Sequence, residues 1–144
     1  MTAEELYNLA LRIAIRAHEG QKDKGGRDYV THPIRVAFRC KGLQAKTVAL
    51  LHDTLEDTSV TVDELRGQGF PEEIIEAVEA VTKRKGERYE AFIERLAGNP
   101  LAREVKMADL EDNMDIRRLE EITDREVTRL RTYLRAWKFL SNCR

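Results

Sequence analysis

The sequence is poor in several features that mark common classes of protein. Its two cysteines, Cys40 and Cys143, lie far apart and outside any C-x-x-C pattern, which favours reduced thiols over a disulfide framework. No apolar run approaches the roughly 20 residues that span a bilayer. The N-terminal segment carries acidic residues where a secretory signal carries basic ones. We therefore expect a cytoplasmic protein with no membrane partner.

The chain also lacks an excess of charge of either sign. It has 25 Lys and Arg residues against 26 Asp and Glu residues, so no overall field attracts nucleic acid, and we expect no nucleic-acid partner. Two local basic clusters remain, at Lys22/Lys24/Arg27 and at Lys83/Arg84/Lys85. Each is either a solvated surface or a contact for a small anionic ligand. The sequence leaves open whether copies of the chain associate as a homo-oligomer.

Two kinds of catalytic motif are missing from the sequence. It has no glycine-rich phosphate-binding loop, which argues against a kinase or a synthetase. It has no G-x-S-x-G turn, and neither cysteine has a histidine near it in sequence, which argues against covalent catalysis by serine or cysteine. Any catalysis is therefore expected to use acids, bases or a bound ion.

Helix signals recur along the whole chain, whereas alternating strand-like runs are nearly absent. The pattern predicts an all-α fold of about eight helices. A chain of 144 residues is long enough for one compact domain, so residues 1–144 are expected to form a single domain. The predicted helices begin near Thr2, Thr31, Ala45, Thr61, Pro71, Glu87, Asn99 and Thr123.

The segment LLHDTLEDT at residues 50–58 places acids and an imidazole in an otherwise apolar helix, predicted over residues 45–57. His52 and Glu56 lie one helical turn apart, as do Asp53 and Asp57, so the four groups share one patch of surface. Burying adjacent carboxylates is costly unless a cation compensates them. A divalent ion fits because it binds imidazole nitrogen and carboxylate oxygen together. An exposed acidic helix end is the alternative.

A second polar cluster, VKMADLEDNMD, occupies residues 105–115. Asp109 and Asn113 lie one turn apart, and Lys106 lies one turn before Asp109, where it is expected to offset charge on a phosphate. His32 stands before a proline at a predicted helix start. Taken alone, His32 is as well explained as a helix cap or core residue, and Asp109 as a surface acid. The presence of these residues together with His52-Asp53 favours a metal-binding site over these separate explanations.

These motifs resemble the HD superfamily, and more narrowly the hydrolase domain of RelA/SpoT proteins and the small alarmone hydrolases. The resemblance covers nearly the whole chain and is carried by AHEGQ (17–21), YVTHPIRVA (29–37), LLHDTLEDT (50–58), AVTK (80–83) and VKMADLEDNMD (105–115). It implies a helical HD-domain bundle with one divalent metal ion, usually manganese in this branch. The implied metal ligands are His32, His52, Asp53 and Asp109.

The resemblance also implies roles for further residues. Glu56 and Asp57 are expected to orient or deprotonate the attacking water, and Lys24, Asn113 and Tyr133 to contact the substrate, a phosphorylated nucleotide. One departure concerns the first loop, where Asp23 replaces an arginine that is thought to stack on guanine in the family. An aspartate cannot stack, and Lys22 or Arg27 are the candidates to replace that arginine.

The implied reaction is metal-dependent hydrolysis of the 3′-pyrophosphate of (p)ppGpp-like alarmones. Three alternatives stay open from the sequence. The first is a nucleotidase or phosphodiesterase that uses the same metal site on another small phosphorylated substrate. The second is a nucleotide-binding regulatory module without turnover. The third is a structural helical domain whose acidic pairs form a solvated face.

Overall fold

The computed structural model describes residues 1–143, which form nine α-helices and one 3₁₀ turn. This confirms the predicted all-α class, and the described residues contain no strand beyond an isolated bridge between Lys22 and Asp28. Within the same range, no helix combines the length and apolar character needed to cross a membrane. The α-helices are α1 (Ala3–Ala17), α2 (Thr31–Arg39), α3 (Leu43–Leu51), α4 (Thr54–Asp57), α5 (Val62–Gly67), α6 (Glu72–Ala80), α7 (Tyr89–Leu96), α8 (Pro100–Asn113) and α9 (Asp124–Ser141), with the 3₁₀ turn at Ile116–Arg118.

Helix starts follow the capping residues in most places. Thr2 and Thr61 each form a complete capping box with the glutamate three residues on, as their sequences predict. The Asn99 side chain accepts the N–H of Ala102 before Pro100, which also agrees. Thr31 differs from the prediction, because its hydroxyl donates to the Asp28 carbonyl and Val30 occupies the cap position.

The predicted continuous helix over residues 45–57 is wrong at one point, because the chain breaks between α3 and α4 at His52-Asp53. Side chains form hydrogen bonds with carbonyl groups that would accept from backbone N–H groups in a continuous helix. The His52 imidazole bonds the Ala49 carbonyl at 2.6 Å, and the Thr54 hydroxyl donates to the Leu51 carbonyl at 2.7 Å. Such side-chain competition ends a helix locally. The break leaves His52 and Asp53 side by side at one end of α3.

The centre of the molecule is α3, which packs against α1, α2, α6 and α8. Its residues from Thr47 to Leu51 are all buried, as the apolar run in this segment implies. This carboxyl-terminal half of α3 cannot shift without opening the close-packed core. The carboxyl end of α3 is therefore a fixed platform for the His52-Asp53 turn.

Replacing Leu50 with alanine is expected to lower the free energy of unfolding by about 2–5 kcal/mol. The Leu50 side chain is 1% exposed, and the structure around a deleted core side chain relaxes only partly into the cavity. Leu134→Ala is the matched control, since Leu134 is 46% exposed on α9 and its loss should change stability by about 0.5 kcal/mol or less. Urea unfolding of both variants measures the difference, and equal losses would contradict this placement of the core.

Candidate metal centre

Three packed segments bring the predicted metal ligands together. His32 comes from the first turn of α2, Asp109 from α8, and His52 and Asp53 from the turn after α3. The His32 Nε2 atom lies 2.8 Å from Asp109 Oδ1, and His52 Nε2 lies 3.4 Å from the same oxygen. Asp53 Oδ2 is 3.2 Å from His52 Nε2 and 3.9 Å from His32 Nε2. His32, His52 and Asp109 therefore present their ligand atoms to one small volume, and Asp53 lies beside the two histidines.

The His52 imidazole has a tautomer that suits a metal ligand. Its Nδ1–H donates to the Ala49 carbonyl, since a carbonyl can only accept, and this leaves a lone pair on Nε2. Nε2 is buried without a hydrogen-bond partner among the described residues. It faces the carboxylate oxygens of Asp53 and Asp109, which are also electron-rich. A cation between these atoms removes the repulsion, so the donor set fits a divalent ion.

His32 is oriented by a second carboxylate. Its Nδ1 atom lies 2.6 Å from Asp112 Oδ2, while its Nε2 atom faces Asp109. A carboxylate behind an imidazole fixes the tautomer and makes the other nitrogen a stronger ligand. Asp112 is fully buried, and burial would raise its pKa, but its bonds to His32 and Arg35 lower the pKa to about 2. Asp112 is absent from the sequence-based prediction, although it lies one turn after Asp109.

Lys106 and Asn113 both bond to Asp109. Lys106 Nζ donates to Oδ2 at 2.8 Å, and Asn113 Nδ2 donates to Oδ1 at 3.1 Å. Burial disfavours the Asp109 carboxylate, but the Lys106 ammonium holds the pKa of Asp109 well below its ordinary value. Lys106 was expected to face a phosphate. The structure instead places its ammonium against Asp109 and over the rings of Tyr89 and Phe92.

Asp53 is held by a residue that sequence reasoning missed. The Tyr29 hydroxyl donates to Asp53 Oδ2 at 2.6 Å. This hydrogen bond stabilises the charged form of the Asp53 carboxyl, which burial disfavours. Tyr29 lies three residues before His32, and in this segment only the histidine indicated a metal ligand from the sequence. The metal-facing carboxylates thus both stay ionised, which a cation site requires.

Replacing Tyr29 with phenylalanine is expected to weaken divalent-metal affinity about 10-fold, because loss of an outer hydrogen-bond partner typically costs 10–100-fold. Tyr89→Phe is the matched control, since the buried Tyr89 hydroxyl has no partner among the described residues. Its removal should leave metal affinity unchanged. Calorimetric titration of metal-free protein measures both variants. Equal affinity of Tyr29→Phe and wild type would contradict a positioning role for Tyr29.

The predicted catalytic carboxylates lie beside this cluster, on α4 at the surface. Glu56 Oε1 accepts the N–H of Lys83 at 3.3 Å, and the Asp57 carbonyl accepts a hydrogen bond from Gln21 at 3.0 Å. Partial burial of its carboxyl and the negative charges of Asp53 and Glu56 raise the pKa of Asp57. An acid with a raised pKa is a better proton acceptor than an ordinary surface carboxylate.

A cavity of about 520 Å³ opens next to the metal ligands and includes His32 and Tyr29 in its wall. Of the predicted substrate contacts, Lys24, Asn113 and Tyr133 line it, and Lys106 does not. The cluster at residues 83–85 also lies outside its wall. The wall is rich in cations, and its basic members are Lys22, Lys24, Arg27, Arg35, Arg117, Arg118 and Arg129. This excess of positive charge fits an anionic ligand.

Asp23 has a structural role in the first loop. Its Oδ1 atom accepts the N–H groups of Gly25 and Arg27, each at 2.9 Å, and so shapes the turn between them. Lys22, one of the two candidates to replace the family arginine, is paired with Asp28. Arg27 lines the cavity, and no carboxylate lies within ion-pair distance of its side chain among residues 1–143.

A helical domain with a His/Asp cluster beside a cationic cavity defines a class of metal-binding protein, and comparison with known families agrees. Residues 10–133 match the HD domain family, so the chain belongs to that family. This confirms the resemblance found in the motifs. Together, the family and the cluster of His32, His52 and Asp109 give the chain a site for a divalent metal ion.

Two curated proteins are similar in sequence to most of this chain. It is 36% identical over 124 residues to a guanosine-3′,5′-bis(diphosphate) 3′-pyrophosphohydrolase of Aquifex aeolicus, covering 78% of this chain and 18% of that protein. It is 34% identical over 118 residues to a probable GTP pyrophosphokinase of Mycobacterium leprae, covering 73% of this chain and 15% of that protein. The chain therefore spans less than one fifth of the length of these curated relatives.

A solved structure has the same fold. It is that of a metazoan ortholog of SpoT, described as hydrolysing ppGpp and acting in starvation responses, and it aligns with a TM-score of 0.79. The alignment covers 96% of this chain and 86% of that protein at 22% sequence identity. At this identity the likeness establishes the fold, and the residues of this chain carry any argument about its chemistry.

Proposed function

We propose that this protein is a manganese-dependent phosphohydrolase that removes the 3′-pyrophosphate of a (p)ppGpp-like nucleotide. The observation that carries the proposal is the convergence of two imidazole Nε2 atoms with the carboxylates of Asp53 and Asp109, next to a cationic cavity that His32 lines. The name of the relative from Aquifex aeolicus, a guanosine-3′,5′-bis(diphosphate) 3′-pyrophosphohydrolase, supports the choice of substrate.

His32, His52, Asp53 and Asp109 would hold the metal ion. Imidazole and carboxylate ligands suit manganese as well as several other divalent ions. When bound, such an ion polarises a phosphoryl group and makes water more acidic. Asp112, Tyr29 and Lys106 hold the ligand side chains in place from behind, so that little reorganisation is needed when the ion binds.

Asp57 and Glu56 would handle the proton of the attacking water. Asp57 is the better acceptor, because its raised pKa brings it closer to the working pH. Glu56 is tethered to the Lys83 N–H and would orient the water rather than accept its proton. Because both residues sit on the single turn of α4, directly after the His52-Asp53 ligands, the turn fixes their position relative to the metal.

The cavity would hold the nucleotide through Lys24, Asn113 and Tyr133. Asn113 bonds a metal-facing carboxylate and also lines the cavity, so it lies at the junction of the two. Lys24 is 3.6 Å from Glu126 and can exchange this exposed ion pair for a phosphate at small cost. Tyr133 presents an aromatic ring suited to a base or sugar.

The test is product release by manganese-loaded protein from guanosine tetraphosphate, its adenosine counterpart and ordinary nucleotides. Pyrophosphate from a tetraphosphate is the expected product, and it should disappear when a chelator removes the metal. Phosphate from ordinary nucleotides alone would instead identify a nucleotidase. Asp23, which replaces the family arginine in the first loop, is the residue that favours this alternative. Tight binding of the tetraphosphate without turnover would overturn the enzymatic proposal.

A further inference from the structure

Asp112 is one buried carboxylate shared by several cationic groups. Besides His32 Nδ1 at 2.6 Å, its oxygens bond Arg35 Nε at 3.0 Å and the Arg118 guanidinium at 3.3 Å. Arg39 Nε lies 3.8 Å away. The Asp112 carboxylate thus faces three guanidinium groups, of which Arg39 also lies 4.0 Å from Glu111. Although Asp115 lies 3.6 Å from Arg118, it also pairs with Arg117 at 2.8 Å, so the deficit of negative charge persists.

Two of these arginines also belong to the wall of the cavity. Arg35 and Arg118 line it, and each side chain is 28% exposed. Each bonds Asp112 with part of its guanidinium, and Arg35 also donates from Nη1 to the Thr31 hydroxyl. Arginine presents five N–H donors and suits oxyanions through paired hydrogen bonds. Both guanidinium groups have donors left over for such a ligand.

We propose that Arg35 and Arg118 form an oxyanion subsite for a phosphate-like dianion, and that its occupation tightens metal binding through Asp112 and His32. An oxyanion on the two guanidinium groups draws their positive charge away from Asp112. The Asp112 carboxylate then accepts more strongly from His32 Nδ1–H, which makes Nε2 a better metal ligand. By linkage, the metal must tighten anion binding by the same factor.

The inference rests on the proposed metal role of the site but requires no turnover. Its first test uses sulfate with metal-free protein, because sulfate is a dianion and a weak ligand of manganese. We expect sulfate to raise the melting temperature above that in chloride of equal ionic strength, because it binds the native state. Arg118→Gln and Arg35→Gln should each lose the part of this difference that exceeds the general stabilisation of proteins by sulfate.

Arg117→Gln is the matched control, since it removes an equal charge from the same wall but has no contact with Asp112. It should keep most of the sulfate effect, whereas the general stabilisation of proteins by sulfate should be equal in all three variants. If Arg117→Gln and Arg118→Gln lose the effect equally, the cavity attracts anions by diffuse charge and the subsite is refuted. Absence of any difference from chloride in wild type refutes it as well.

The second test is the manganese Kd from calorimetry with and without sulfate. In wild type, saturating sulfate should lower the Kd at least about fivefold, the lower end of typical coupling between sites. Arg118→Gln should bind manganese with a Kd that sulfate does not change. An unchanged wild-type Kd would overturn the coupling. Neither test contains a nucleotide, so failure of the subsite is separate from failure of the proposed hydrolysis.

Discussion

Replacing Asp109 with asparagine is expected to abolish manganese binding and reduce turnover to background. Asp109 Oδ1 is the oxygen that both His32 Nε2 and His52 Nε2 face, so the change removes the charge at the centre of the ligand set. The substitution should also destabilise the protein by about 3–5 kcal/mol, because it leaves a buried ion pair without one partner. Lys106 is that partner, and its ammonium is held charged by Asp109 against the cost of burial.

A double variant separates the two losses. Asp109→Asn combined with Lys106→Met removes the stranded ammonium and should recover much of the stability, because a buried pair replaced as a whole is often neutral. Metal binding should stay absent in the double variant. Urea unfolding and calorimetric titration with manganese measure the two properties. Metal affinity of Asp109→Asn equal to that of wild type would contradict Asp109 as a ligand.

Replacing Asp57 with asparagine is expected to lower kcat by about 10²–10⁴, the usual contribution of a general base. Metal affinity should change little, because Asp57 is outside the cluster of His32, His52 and Asp109. The wild-type rate should fall as the pH drops through the raised pKa of Asp57, since only the ionised carboxylate accepts a proton. This acidic limb should be absent from the residual activity of the variant.

Glu56→Gln is the matched control for Asp57→Asn. It removes one carboxylate charge from the same turn, but glutamine keeps an oxygen that can accept the Lys83 N–H. Its kcat should fall less than that of Asp57→Asn, and its acidic limb should persist. Steady-state rates from pH 4 to 9, at saturating manganese, distinguish the variants. If Glu56→Gln has the larger defect and loses the acidic limb, then Glu56 is the base and the assignment is reversed.

Local sequence signals were sufficient for most of the fold. Thr2 with Glu5 and Thr61 with Glu64 satisfy backbone groups within one turn, so each helix start depends only on neighbouring residues. The all-α class follows because such local signals repeat along the chain. The break at His52-Asp53 was not predictable in this way, since it depends on which carbonyls two buried side chains reach.

The same contrast applies to the metal centre. The resemblance named His32, His52, Asp53 and Asp109 because residues of these types are recognisable in their motifs. The structure brings His32, His52 and Asp109 together with Asp53 beside the two histidines, and their role as metal ligands stays a prediction. Their supporting contacts are long-range: Asp112 lies 80 residues from His32, and Tyr29 lies 24 residues from Asp53. Such pairs are determined by the packing of α2, α3 and α8. Only the helical spacing of Asp112 from Asp109 could have suggested that both face one site.

The most direct test of the central claim is X-ray diffraction from crystals grown with manganese, collected on both sides of the manganese absorption edge. We expect one anomalous peak between His32 Nε2, His52 Nε2 and the carboxylates of Asp53 and Asp109, at about 2.0–2.3 Å from its ligand atoms. The peak should be absent from crystals of Asp109→Asn. A fully manganese-loaded crystal with no peak among these residues would contradict the metal centre described above.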